Sequence, residues 1–140
     1  MKYSHRLSDA VHVLVYLDIH GSNSSSAIAD SVNSNPSLIR RLVAAMVKAG
    51  ILERSGPRGE ITIRLTRPAS EVSLRDIYHA VEDHLEFLNV DQEVNHSDPL
   101  GRCMPDVLGR SYDQVQEAAE KAMAQISLQS IIDQVKNEIN

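Results

Sequence analysis

The stretch from Asn35 to Gly50, NPSLIRRLVAAMVKAG, carries two adjacent arginines and a lysine beside a regular apolar pattern. At the helical period, Leu38, Leu42, Met46 and Ala49, flanked by Ile39 and Val43, form a buried stripe. Ser37, Arg40, Arg41, Ala44 and Lys48 fall on the opposite face. Ser37 and the free N–H groups of a first helical turn suit a phosphate oxygen. An arginine fork at Arg40 or Arg41 can hold guanine O6 and N7 together, and the first turns of such a helix enter the major groove deepest. Ala44 is small enough to let the helix approach. A solvated amphipathic helix shows the same pattern, so the helix alone does not decide. The following segments add Arg54, Arg64 and Arg67 on β-rich stretches, with Arg58 in the GPRG between them. An arginine on a narrow tip suits an A·T minor groove, where the negative potential is enhanced. The plain alternative is a surface hairpin that happens to be basic. Helix, hairpin and local charge together point to double-stranded DNA as a partner.

Charge supports this once the chain is divided. The 140 residues carry a net −5. Residues 1–70 hold nine Lys/Arg (Lys2 among them) against five Asp/Glu, and residues 71–140 hold five against fourteen. The first half is suited to a polyanion and the second to another task.

Other residues offer weaker chemistry. Cys103 stands beside Arg102, and a neighbouring cation lowers a thiol pKa; a redox-sensing thiol and an inert packed cysteine both remain open. His79 and Asp83, spaced i, i+4, suggest a metal pair with His84 or His96, without a C-x-x-C or H-E-x-x-H pattern to support it. There is no Gly-rich phosphate loop, nucleophile elbow or acid–base dyad, so no enzyme is expected. A thiol- or metal-responsive sensor and a protein–protein adaptor are the alternatives to a DNA-binding regulator. No run approaches the ~18 apolar residues of a membrane span. The apolar start is broken by Asp9, His12 and Asp18, and a lone cysteine fits a reducing compartment. A cytoplasmic protein is expected.

The elements that must position these residues follow from spacing and caps. A first helix spans Ser8–His20, with Leu7, Val11, Leu14 and Leu17 inward and Gly21 stopping it. After GSNSSS a short helix spans Ser25–Val32, and Asn33-Ser34 turn. Asn35 caps the third helix with Pro36 at its first position, and Gly50 closes it. ILERS and EITIRL form a hairpin across GPRG. Ser73 caps a fourth helix carrying Leu74, Ile77, Tyr78 and Val81, with Asp76 completing a capping box. Residues 83–103 are an acidic loop region. A long helix spans Met104–Ile126, with Leu108, Tyr112, Val115, Ala119, Ala122 and Ile126 spaced 4-3-4-3-4. Such a stripe is either core or a seam against a second copy, and its charged flanks favour the seam. Ser127 caps a last helix. The architecture is mainly α with a small β-hairpin wing. It divides into a winged helix-turn-helix over 1–82, the loop over 83–103, and dimerisation and C-terminal helices over 104–140.

The chain resembles the Rrf-two (BadM/IscR-type) winged-helix transcription regulators. RLSDAVHVLVYL resembles their first helix and IADSVNSNPSLIRRLVAAMVKAGIL their helix-turn-helix. ERSGPRGEITIRLTRPASEVSLRDIYHAVED resembles their wing and following helix, and RPASEVSLRDIYHAVED is the most specific part. The tail HSDPLGRCMPDVLGRSYDQVQEAAEKAMAQISLQSIID resembles their dimerisation helix and last helix. The resemblance implies a homodimeric regulator, usually a repressor, on a roughly palindromic operator. Many members hold an iron–sulfur cluster through three closely spaced cysteines in the acidic loop. Here that loop has only Cys103, and Asp98 stands in DPLG where relatives often place a cysteine. Asp9 and His12 on the first helix do not replace the missing thiolates. No cofactor and no metal site are therefore expected. The wing reads Gly59-Glu60-Ile61 where relatives usually have Gly-Gly-aromatic, which sets an acid close to the expected phosphate path.

Overall fold

The computed structural model describes residues 4–140; Lys2, counted above in the basic half, lies outside them. The element order is α1 (Arg6–His20), α2 (Ser25–Val32), α3 (Pro36–Lys48), β1 (Leu52–Ser55), β2 (Thr62–Leu65), a 3-10 turn (Ala69–Glu71), α4 (Leu74–Val81), α5 (Pro99–Ala124) and α6 (Leu128–Ile139). This is a winged helix-turn-helix followed by a long helix and a returning one.

Helix α1 is the centre. It buries Ala10, Val13, Leu14, Val15 and Leu17, while the expected Leu7 and Val11 sit at the margin. A four-residue stripe understates a helix that touches α2, α3, α4, α6 and β2. The helix-turn-helix is held by its caps. Ser24 accepts from Ala27 N at the start of α2. At its end Asn33 adopts the left-handed conformation (φ 57°), and Ser34 N donates to Ala29 O at 3.1 Å. Asn35 Oδ1 then accepts from Leu38 N at 2.8 Å, with Pro36 next in line. Two residues thus separate the end of one helix from the cap of the next. Helix α3 buries Ile39, Leu42, Val43 and Met46. Ala49, expected in the stripe, is exposed because it is the cap residue beyond the last full turn. Gly50, at φ 80°, reverses the chain. Ile51 N donates back to Met46 O and Gly50 N to Val47 O, the paired closure that a left-handed residue permits.

The wing is an antiparallel pair in the register Leu52↔Leu65, Glu53↔Arg64, Arg54↔Ile63 and Ser55↔Thr62. An isolated bridge, Asn23↔Ile63, fastens the α1–α2 loop to its outer strand. Helix α4 starts with the expected reciprocal box: Ser73 Oγ accepts from Asp76 N, and Asp76 Oδ2 from Ser73 N.

The C-terminal part departs from expectation in two ways. The long helix begins at Pro99, not Met104, so the acidic region is shorter than 83–103. Asp98 caps it by accepting from Gly101 N at 3.1 Å. Gly101 and Pro105, residues that usually weaken a helix interior, both fit near the helix start. A Cβ at Gly101 would lie 2.1 Å from Asn95 O, so only glycine lets the loop close against the helix. Pro105 lies two turns in and is buried. The helix ends at Ala124, before Ile126. The two C-terminal helices also part company. Helix α5 buries only Pro105 and Met123, whereas α6 returns to the core of the first unit, where Leu128 and Ile132 are fully buried. Backbone bonds lock this return: Leu74 N to Ile126 O at 2.8 Å and Leu128 N to Val72 O at 2.7 Å. Among the described residues no helix is long and apolar enough to cross a membrane.

Candidate nucleic-acid interface

Ser37, Arg40, Arg41, Ala44 and Lys48 are all exposed along one side of α3, opposite Ile39, Leu42, Val43 and Met46. Arg40 Nη2 donates to Ser37 Oγ at 3.2 Å, which draws its guanidinium back toward the start of the helix. Among the described residues Arg40, Arg41 and Lys48 make no ion pair, and neither do Arg54 and Arg58. The basic surface is therefore uncommitted to the chain's own acids.

The wing tip is a tight turn. Glu60 N donates to Pro57 O at 2.9 Å, and Gly59 sits at its third position with φ 91°. That geometry requires a residue without a Cβ and leaves Arg58 on the exposed corner. Gly56 has φ 106°, and a Cβ there would lie 2.6 Å from Glu60 O. Glu60 is exposed beside this corner.

The four wing arginines do not form one surface. In the observed register Arg54 and Arg64 project from opposite faces of the ribbon. Arg64 is ion-paired with Glu53 across the strands, and Arg67 reaches Asp76 at 3.5 Å at the wing base. Arg54 and Arg58 are left free. Sequence reasoning missed the Ser-rich loop. Ser24 caps α2, and the Asn23 bridge sets the start of that helix beside β2. A serine directly before a helical period was the available signal, masked by two more serines after it.

The six expected seam residues divide. Leu108, Tyr112 and Ala119 are half-buried against their own chain; Val115, Ala122 and Ile126 are exposed. The open apolar face of α5 is rotated from the expected one and also takes in Leu100, Val107 and Ala118. The rotation has a local cause. Gln116, Glu120 and Met123 face α4 and the acidic loop, which draws Tyr112 and Ala119 to that side. Gln116 Nε2 donates to Leu85 O at 2.6 Å and to Glu120 at 2.9 Å, and its Oε1 accepts from Phe87 N at 2.9 Å. Hydrogen bonds from Gln116, then from His79 and Arg75, hold the Glu120 carboxyl down at about 2. Burial pushes the Tyr78 hydroxyl above its ordinary value.

The weaker candidate, a metal pair of His79 and Asp83, does not form among the described residues. Helix α4 ends at Val81, so Asp83 leaves the face that carries His79. His79 instead meets Glu120, and Asp83 lies 3.8 Å from Arg6. Cys103 is exposed in the early turns of α5, its thiol donating to Leu100 O at 3.4 Å.

A turn-linked helix pair whose second helix presents a free basic face, beside a hairpin tipped with arginine, defines a winged helix-turn-helix protein. The sequence model of one family, described as "Rrf2: Iron-dependent Transcriptional regulator", matches residues 3–134. The chain is 34% identical over 128 residues to the Bacillus subtilis protein "Putative HTH-type transcriptional regulator YwnA", covering 91% of this chain and 94% of that one. The crystal structure of "a putative DNA binding protein" aligns with a TM-score of 0.71 at 30% identity, over 91% of this chain and 98% of the other. IscR of T. potens shares the fold (TM-score 0.70, 19% identity), with coverage of 96% and 88%. The chain belongs to the Rrf2 family of transcriptional regulators.

The family description names iron, and the side chains here offer few donors for it. The sequence holds a single cysteine. The described residues bring no three His, Cys, Asp or Glu side chains together. Asp9 and His12 are on α1, and His12 Nε2 bonds Ser31 instead. One exposed thiolate does not fit a cluster that takes four protein ligands.

Proposed function

We propose that this protein is a homodimeric, sequence-specific DNA-binding regulator that acts as a repressor and carries no iron–sulfur cluster. The observation that carries the reading is the free basic face of α3, set by a two-residue turn and flanked by the wing corner at Arg58. Arg40 and Arg41 read base edges in the major groove. Ser37 and Lys48 hold phosphates, and Arg58 reaches the adjacent minor groove. Arg54 shares the ribbon face of Leu52 and Ile63 but is itself exposed and unpaired toward the tip, where it adds a phosphate contact; Arg64, already neutralised by Glu53, contributes less. Free N–H groups at the start of α2 give further phosphate donors beside the wing.

Dimerisation is supported by the length of α5 and its open apolar face, which none of the described residues covers. Crossing two such helices buries Val107, Val115, Ala122 and Ile126 and brings two recognition helices to one side of the duplex. Repression follows from occupancy: a dimer seated over two successive major grooves excludes polymerase from that stretch.

The test is selection of bound fragments from the source genome, followed by titration at several salt concentrations. A selected, roughly palindromic site is expected, with affinity falling steeply as salt rises. Binding that ignores sequence and salt would favour a protein–protein adaptor. The same preparation, purified without oxygen, should be colourless. A brown dimer containing iron and sulfide would overturn the cluster-free reading.

A further inference from the structure

We infer that Glu120 is a positioning residue that sets the distance between the two DNA half-sites, by fixing the direction of α5 against α4. The inference rests on the dimeric DNA-binding reading above. Beside the apolar packing of Tyr112, Ala119 and Met123, helix α5 has two hydrogen-bonded anchors to the folded unit. Its C-terminal end is pinned through backbone, by Leu74 N to Ile126 O and Leu128 N to Val72 O. Apolar contacts along the helix are non-directional, so the backbone pin alone leaves its angle poorly fixed. The second anchor lies further up the helix. Glu120 accepts from Arg75 Nε at 3.3 Å, from His79 Nε2, and from Gln116 Nε2 at 2.9 Å. A carboxylate can only accept in these bonds, so His79 donates from Nε2.

Arg75 and His79 stand one turn apart on α4, so the carboxylate is held along that helix and not at one point of it. Gln116 is fixed in turn by Leu85 O and Phe87 N. The Tyr78 hydroxyl donates to the same Leu85 carbonyl, and its ring stacks on Phe87 with centroids 5.3 Å apart. The acidic loop is thus drawn into the joint. With side-chain exposure of 18%, Glu120 is the most sheltered member of the triad, while His79 and Arg75 are 37% and 49% exposed. Two anchors along a rod define its direction.

The leverage is large. The 26 residues of α5 extend about 39 Å at 1.5 Å per residue. A swing of about 10° at the joint moves a point about 30 Å away by roughly 5 Å, more than one base step of about 3.4 Å. Loosening the joint therefore alters the separation of the recognition helices without touching a residue that faces DNA.

The experiment uses the full chain and a DNA fragment selected by the wild-type protein from a random library. The two half-sites are moved closer together or further apart by one and two base pairs. Wild type, Glu120→Ala and the double variant Arg75→Ala/His79→Ala are titrated on each fragment, with sedimentation of every protein. Wild type should lose at least tenfold in affinity for a one-base-pair shift. The variants, folded and dimeric, should lose less than threefold or prefer another spacing, while affinity for an isolated half-site stays the same. Folded dimeric variants that keep the wild-type spacing profile overturn the inference and make the joint a structural staple only. If Glu120→Ala does not fold, the double variant carries the test with Glu120 in place. A wild-type protein that does not dimerise, or binds no fragment, overturns the underlying reading and is distinguished from failure of the joint by that control.

Discussion

Arg40 and Arg41 differ in their freedom before any DNA arrives. Arg40 is tethered to Ser37, and Arg41 has no side-chain partner among the described residues. If both read bases, replacing either with alanine should cost about 1–3 kcal/mol on the selected site and relax preference at one position, with less effect on random DNA. Competition titration against single-base variants of the site measures this, and unchanged operator affinity in both variants would remove α3 from the role of recognition helix. Arg58 stands on a corner that two glycines make possible. Arg58→Ala should lose the preference for A·T over G·C pairs flanking the major-groove contacts. Equal loss on both kinds of flank would reduce Arg58 to a phosphate contact. Glu60→Gln should strengthen binding and steepen its salt dependence slightly, since it removes an acid beside that corner. At this scale the sequence was legible wherever side chain and backbone act within a few residues: Asn35, Pro36, Gly50 and Ser73 do what their types dictate. It was illegible where a partner comes from far away. Nothing near Arg64 says that Glu53 will face it across the wing, and nothing near His79 says that Glu120, on another helix, will take it from Asp83.

Among the elements, α5 holds the least in its own chain and has the most open apolar surface. Val115 is 49% exposed in the middle of that face. In a crossed dimer a carboxylate there is buried without a counter-ion, at a cost of several kcal/mol. Val115→Glu should give monomers in sedimentation, with weak, salt-sensitive DNA binding retained by the intact α3 and wing. A folded dimer of normal operator affinity would place the seam elsewhere on the helix. The period of this stripe was readable but its rotation was not. Apolar spacing alone averages over two neighbours, the α4 side that takes Gln116, Glu120 and Met123 and the open side that takes Val107 and Ala118. The start of the helix was missed for a different reason. Asp98-Pro99 carries the same cap-and-proline signature as Asn35-Pro36, but it stands in an acidic stretch without clear apolar periodicity, which obscured the signal. Only the approach of Asn95 to Gly101 shows why that glycine belongs there.

For the molecule as a whole, α4 and α5 are joined through a carboxylate held at about 2 against an ordinary 4.5. A carboxyl whose pKa is depressed on folding lends stability above its ordinary value and loses it as pH falls through the folded one. The difference in thermal unfolding between wild type and Glu120→Gln should therefore shrink as pH falls between about 4.5 and 2. A difference that does not change over that window would mean that the joint does not depend on the charge. The charge division of the chain is also a property of the whole: the proposed DNA surface lies in the basic half, and the loop and α5 lie in the acidic half. Finally, the return of α6 has a consequence for synthesis. Leu128 and Ile132 fill the core that α1 opens, and they are made only after α1 to α5. Each large aliphatic residue missing from a core costs about 2–5 kcal/mol, against a typical total stability of about 5–15 kcal/mol. A chain interrupted after α5 therefore has an unsealed reader. A fragment that ends after α5 should melt well below the full chain, so the helix that closes the core is supplied after the surface at α3 has been made.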